Sequence, residues 1–210
     1  MTAPAFATVA RPDVKVNGSL LASTVLSELL DLRVQLPLNA PGQLTMRFFD
    51  ETFELIDAST FQVGGEVKVD LPDLAGQMHA VFTGEIVSIG IEQGPNKLTE
   101  LVVVAFDRSH RFGRASQGRT FLDQTYGDVV KKIAGEHGMQ SKVQYLGTGS
   151  NPYLLQTGDD AAFLTETARR TGAQWKVEDN TLTVFKPPLA SSSAATLEWQ
   201  QTLLSFRARF

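Results

Sequence analysis

The sequence predicts a mainly β protein with an α+β insertion. A small antiparallel β-barrel comes first, then a small α/β module, then the first strand of a second barrel. Three observations carry this reading. Residues 61–107 hold three strand-like runs, two of them alternating apolar with polar side chains, the period of strands with one buried and one wet face. After residue 120 the apolar spacing changes to the helical period of about 3.6. From residue 197 the alternation returns and continues to Phe210.

The first barrel, residues 12–107, is organised around those three runs. In 66–71, Val67, Val69 and Leu71 alternate with charged residues. In 80–91, Phe82, Gly84 and Ile86 share one parity, whereas Val87, Ile89 and Ile91 share the other. A switch of parity inside one strand requires a bulge or bend, and Gly84 supplies backbone freedom for it. Residues 101–106 are apolar without a break, as in a strand covered on both faces. Turn-forming residues at 72–76 and 94–97 separate the runs. A bent strand between two partners predicts a small closed or half-closed barrel.

The remaining elements follow in order. Residues 1–11 read as a flexible arm; 1–10 carry no Lys or Arg and no long apolar core, so they are not a secretory signal. Residues 12–16 form a short strand that turns at Asn17-Gly18, a pair that tolerates positive φ. That turn also accounts for the Asn17-Gly18-Ser19 glycosylation sequon. Leu30, Leu32, Val34 and Leu36 alternate, as do Leu44, Met46 and Phe48, giving a hairpin across 39–42. Residues 51–61 are less periodic and hold a helical turn. Residues 108–119 form a basic connector with Arg108, Arg111, Arg114, Arg119 and His110 and no acid. Nucleic-acid surfaces interleave stacking aromatics, and here Phe112 stands alone. Salt bridges to another part of an assembly are the favoured role.

The module at 120–186 opens with a capping box, Thr125 to Asp128. Val129, Val130, Ile133 and Ala134 form an apolar stripe, and Gly138 ends the helix. A short strand follows at 142–146. The second helix starts near Asp159, buries Phe163, Leu164, Thr167 and Ala168, and places Arg169 and Arg170 at its negative end before Gly172. Residues 174–185 form a hairpin. Residues 187–196 are a linker with Pro187, Pro188 and three serines. In 197–210, Leu204, Phe206, Ala208 and Phe210 share one face, and such an edge must be covered. The chain stops mid-pattern, so the sequence is expected to be a fragment or ordered part of a longer protein.

Bulk properties narrow the function classes. The chain has 210 residues, enough for one large or two small domains, with 42% hydrophobic and 20% charged residues. A net charge of -4 sets up no field toward nucleic acid or an anionic membrane. Without cysteine there is no disulfide, thiolate site or cysteine nucleophile. No apolar run approaches the ~20 residues that span a bilayer. His79, His110 and His137 are scattered and show no zinc-ligand spacing. Asp107-Arg108-Ser109-His110 gathers three triad residue types, but adjacency is not triad geometry. Gly147-Thr148-Gly149-Ser150 lacks the lysine and helix of a phosphate loop. Trp175 reads as a core anchor. No catalytic residue, metal ligand or cofactor is nominated.

Residues 82–89 (Phe82-Thr83-Gly84-Glu85-Ile86-Val87-Ser88-Ile89), 105–112 (Ala105-Phe106-Asp107 through Arg111-Phe112) and 120–130 (Thr120-Phe121-Leu122 through Asp128-Val129-Val130) occur in this order, followed by Asp159-Asp160-Ala161-Ala162-Phe163-Leu164 and Gly172-Ala173-Gln174-Trp175. Together these blocks resemble the hub domain of phage-tail and contractile-injection-system spike proteins, the VgrG-like and late-control D-like family, over about 12–210. The resemblance implies a structural, non-enzymatic homotrimer with two barrels per subunit, whose ring joins a hexameric inner tube to a trimeric spike. It implies as partners the chain itself, the inner tube protein, baseplate proteins and a spike tip or effector cargo, with no nucleic acid and no membrane insertion. It implies assembly in the bacterial cytoplasm within a phage-tail-like particle, extracellular after release. The sequence departs from the pattern in reaching only the opening strand of a second barrel. Arg108, Arg111, Arg114, Arg119, Phe206 and Phe210 are the expected assembly contacts. The alternative is a carbohydrate- or peptide-binding β module of a tail tip, for which Tyr153 and Trp199 offer aromatic faces; a cell-wall hydrolase is third.

Overall fold

The computed structural model describes residues 11–73, 76–95, 98–116, 118–144, 146–147 and 149–187, and residues 196, 198, 199, 203 and 205. In chain order the first lobe contains β1 (Asp13–Val16), β2 (Ser19–Leu20), α1 (Ser23–Ser27), β3 (Leu29–Gln35), β4 (Gln43–Phe49), α2 (Glu54–Asp57), β5 (Glu66–Pro72), β6 (Met78–Glu92) and β7 (Glu100–Phe106). A 3-10 turn, Arg108–Gly113, leads to the second lobe. This holds β8 (Arg119–Gln124), α3 (Tyr126–Glu136), β9 (Gln140–Val143), β10 (Asn151–Gln156), α4 (Asp160–Thr171), β11 (Gln174–Glu178) and β12 (Thr181–Phe185). The chain is mainly β, with one large antiparallel sheet and small helices.

The large sheet has the order β2-β1-β5-β6-β7-β4-β3. Asn17 (φ 50) and Gly18 (φ 80) make the β1–β2 turn, the positive-φ pair that two-residue hairpins require. Val14, Val67, Val69, Phe82, Ile86, Leu101, Val103, Leu44, Met46 and Phe48 meet in one core, where the Phe48 and Phe61 rings lie 5.2 Å apart. The sheet therefore curls around its apolar face.

Among the described residues β2 and β3 are its edges, so of the closed or half-closed barrel expected, the closed form is not seen, while the mainly β class is. The reason lies in residues 19–28. β2 is two residues long, and the chain then enters α1, whose Val25 and Leu26 lie on the same core instead of extending a ladder to β3. The sequence reading had assigned nothing to this helix.

The parity switch in β6 is real, but its site differs. The register skips Val81 against β5 and Val87 against β7, so two bulges re-aim the strand. Gly84 is needed for space: a Cβ there would drive into the Phe106 carbonyl oxygen and lie 2.7 Å from the Phe82 ring edge. β7 also departs from expectation, since Leu101, Val103 and Ala105 are buried while Val102, Val104 and Phe106 are only half-buried. A third irregularity, between Leu29 and Asp31, turns Leu30 out to solvent while Leu32 and Val34 face in.

In the second lobe the helices form as their sequences dictate. The Thr125 hydroxyl accepts from the Asp128 N–H at 3.1 Å, and the Asp159 carboxylate accepts from the Ala162 N–H at 2.7 Å. Gly138 (φ 68) and Gly172 (φ 65) take the left-handed residue at the two helix ends. β9 runs parallel to β12 beside the β11–β12 hairpin, and β8 pairs with β10. Trp175, Phe112, Ile133, Leu164 and Leu182 centre this core. β8 and β10 escaped the sequence reading because they invert the usual pattern: Leu122, Tyr153 and Leu155 face solvent and Gln156 is buried.

Of the expected terminal strand at 197–210 only residues 198, 199, 203 and 205 are described, and Trp199 and Leu203 make an isolated bridge; Phe206 and Phe210 lie outside the described residues, as do residues 1–10.

Candidate functional site

Arg108, Arg111 and Arg114 lie at the junction of the two lobes, whereas Arg119 pairs within the second lobe and Phe206 and Phe210 lie outside the described residues. β7 delivers Asp107 into this junction, where it is buried and caps the 3-10 turn. Its carboxylate accepts from the Gly42 N–H (2.6 Å), the Ser109 N–H (2.8 Å) and the Ser109 hydroxyl (2.5 Å). Burial pushes the carboxyl above its ordinary range, and these donors oppose the shift. The Ser109 hydroxyl is thus buried and committed, while His110 Nδ1 lies 2.6 Å from the Asp107 carbonyl oxygen. Asp107, Ser109 and His110 make a cap, with no nucleophile–base pair.

The four connector arginines all find acids, each from a distant part of the same chain. Arg108 donates to the Asn180 side chain at 2.7 Å and to Glu66 at 3.4 Å. Arg111 pairs with Glu85 on β6, and Arg114 donates to His110 Nε2 at 2.7 Å with Glu85 3.9 Å away. Arg119 lies deeper. It reaches Gln156 (2.8 Å), Asp160 (2.7 Å) and Glu136, while His137 Nε2 lies 2.8 Å from the second Asp160 oxygen. Arg114, at 61% side-chain exposure, is the most open of the four. The absence of acids within 108–119 was legible; partners 17 to 42 residues away in sequence were not.

Direct hydrogen bonds lock the lobes together. Asn39, in the β3–β4 turn at φ 59, donates its N–H to the Trp175 carbonyl and accepts the Trp175 N–H through Oδ1, each at 2.9 Å. Thr83 donates to Asp179 at 2.6 Å. Between these contacts lies a cavity of about 280 Å³ lined by Leu36, Phe82, Asp107 and Val177 among others. Sequence reasoning saw Asn39 only as a turn residue. The sequence signal was the residue type, since asparagine tolerates the left-handed backbone it adopts there.

Elsewhere, a cavity of about 480 Å³ opens beside β10 and α4, bordered by Tyr126, Tyr153, Phe163 and Arg170. Among the described residues no group of three His, Cys, Asp or Glu side chains is placed to hold a metal ion, and no helix is long and apolar enough to cross a membrane. What the geometry supplies is a pair of lobes held together by a polar joint, together with sheet edges that no described strand covers.

Solved structures share this fold at low identity. A tail protein from Neisseria meningitidis MC58 aligns with TM-score 0.64 and 19% identity, covering 93% of this chain and 56% of that one. An E. coli component of the type VI secretion system, itself described as similar to the T4 tail proteins gp27 and gp5, gives TM-score 0.62 and 15% identity, over 92% and 51%. A chain of the Francisella PdpA-VgrG complex gives TM-score 0.51 and 10% identity, over 84% and 32%. The chain shares its fold with these phage-tail and secretion-system proteins, and it spans about half the length of the structures it matches. No curated protein matches the sequence. The Alg8 N-terminal domain family matches residues 7–210, and the chain belongs to that family.

Proposed function

We propose that this chain is a structural hub of a contractile injection system or phage-tail-like particle, a trimeric adaptor between the inner tube and the central spike. The observation that carries this reading is the extent of the likeness. Both lobes and their junction, 84–93% of the chain, follow proteins of phage tails, type VI secretion and a VgrG complex. A polar joint suits a part that transmits load between two assemblies, and open edges suit one that meets further strands. The chain is non-enzymatic on this reading. It is assembled in the bacterial cytoplasm with baseplate proteins and is carried outside when the particle is released. The Francisella VgrG was solved with PdpA, and a spike tip or effector cargo is the corresponding partner here.

Arg114 is the connector arginine most open to a neighbouring subunit, with Arg111 beside it. Reversing both to Glu should weaken assembly in a salt-dependent way. The direct test adds the chain to tubes of the cognate inner-tube protein and images them by negative-stain electron microscopy. The reading expects rings capping tube ends, and bare ends at saturating protein would defeat it.

A second reading, a carbohydrate- or peptide-binding module, is favoured by Tyr153 and Trp199, which are 59% and 61% exposed. Tyr153 borders the 480 Å³ cavity. Binding on a glycan array that is lost in Tyr153→Ala would support it over the hub.

A further inference from the structure

The large sheet has two ends, and only one is occupied by the second lobe. The register places Gln43, Phe106, Glu85 and Glu66 at the end that carries the Asp107 joint, and Phe49, Glu100 and Glu92 at the other. At that far end a groove of about 350 Å³ runs between α1 and the segment leading into α2. Val25, Phe49 and Leu55 contribute its apolar wall, and Glu28, Glu51 and Glu54 its rim. Among the described residues none of these three carboxylates has an ion-pair partner, in contrast to the connector arginines, all of which are paired.

The groove is preformed. The Asp50 carboxylate accepts the Leu55 and Ile56 N–H groups, each at 3.0 Å, and the Asp50 N–H donates to the Thr99 carbonyl at 3.0 Å. Beside it two large apolar side chains stand open, Phe53 (41% exposed) and Leu98 (56%). An apolar floor within a ring of unpaired carboxylates repels nucleic acid and anionic lipid, and it attracts a cation that brings an apolar tip.

We infer that this groove is a docking surface for a protein segment bearing Lys or Arg on either side of an apolar anchor. The anchor fills the space between Val25 and Leu55, and the cations pair with Glu28, Glu51 and Glu54. The inference does not depend on the hub reading, because it concerns a surface complete within one chain.

The test measures fluorescence anisotropy with a labelled Lys-Lys-Leu-Phe-Lys-Lys peptide at low salt. Binding is expected, weakening as salt rises. Glu51→Lys/Glu54→Lys should weaken it about ten-fold or more, since two attractions become repulsions. Phe53→Ala should weaken it less. Asp123→Lys/Glu178→Lys, the same charge change on the other lobe, should leave it unaltered. Equal loss in both double variants would overturn the inference, as would equally tight binding of Lys-Lys-Ser-Ser-Lys-Lys. Hydrogen exchange on the unaltered chain provides a readout that needs no variant. Peptide-induced protection at residues 50–57 supports the site, and protection elsewhere or nowhere refutes it.

Discussion

The two lobes reach order by different means. The first is a sheet whose inner face is wholly apolar and whose shape is set by register, with bulges at Val81 and Val87 bending one long strand. The second packs helices on short strands and carries a buried polar node, Arg119–Asp160–Gln156–His137, within its core region. A sheet lobe tolerates change on its outer face but not at its close backbone contacts. A node lobe depends on every member being satisfied, because a half-satisfied buried network is costly. The difference locates the weak point of each lobe.

Trp175 should mark the largest effect. It is fully buried, its indole N–H donates to Thr165 at 3.1 Å, and its backbone clasps Asn39. Trp175→Ala should cost about 4 kcal/mol by urea denaturation. Hydrogen exchange should show second-lobe amides losing protection before those of β4 and β7, whereas simultaneous loss would mean that the lobes have one cooperative core.

Gly84→Val should follow, at about 3 kcal/mol. Its Cβ meets backbone, which cannot swing aside as a side chain can. An unchanged melting temperature would mean that β6 and β7 lie further apart than described. Asp160→Ala should cost about 2 kcal/mol, by removing one acceptor each from Arg119, His137 and the Gln156 amide. A loss equal to that of the exposed Glu178→Ala would show the node to be idle.

The smallest effect belongs to Glu166. Arg169 and Arg170 hold its carboxyl down to about 2, from 4.5. A depressed folded-state value means that its contribution is complete above about pH 4.5 and disappears as pH falls toward 2. The site is exposed, so the contribution is small and screened. Glu166→Gln should lower the melting temperature slightly at pH 7 in low salt and by less at pH 3.

Much of this was legible in the residues. Alternation located β4, β5 and the β11–β12 hairpin, and capping patterns located α3 and α4, because those signals are local. The parity switch in β6 was visible, but its cause was assigned to Gly84 where the bulges fall at Val81 and Val87. Single residues do not reveal which partner strand slips. β8 and β10 were invisible because they expose Leu122, Tyr153 and Leu155 and bury Gln156. Asp107, Ser109 and the arginines stand out in the sequence, but the partners Glu85, Asp160 and Asn39 do not announce their roles, because those roles arise from pairings across the chain.

We propose above that this chain serves as a trimeric hub. Gel filtration with multi-angle light scattering, over a hundred-fold concentration range at low and high salt, tests it most directly. A trimeric hub gives a three-chain mass that dissociates with salt and in Arg111→Glu/Arg114→Glu. A one-chain mass at every concentration, with the lobes folded, would contradict it.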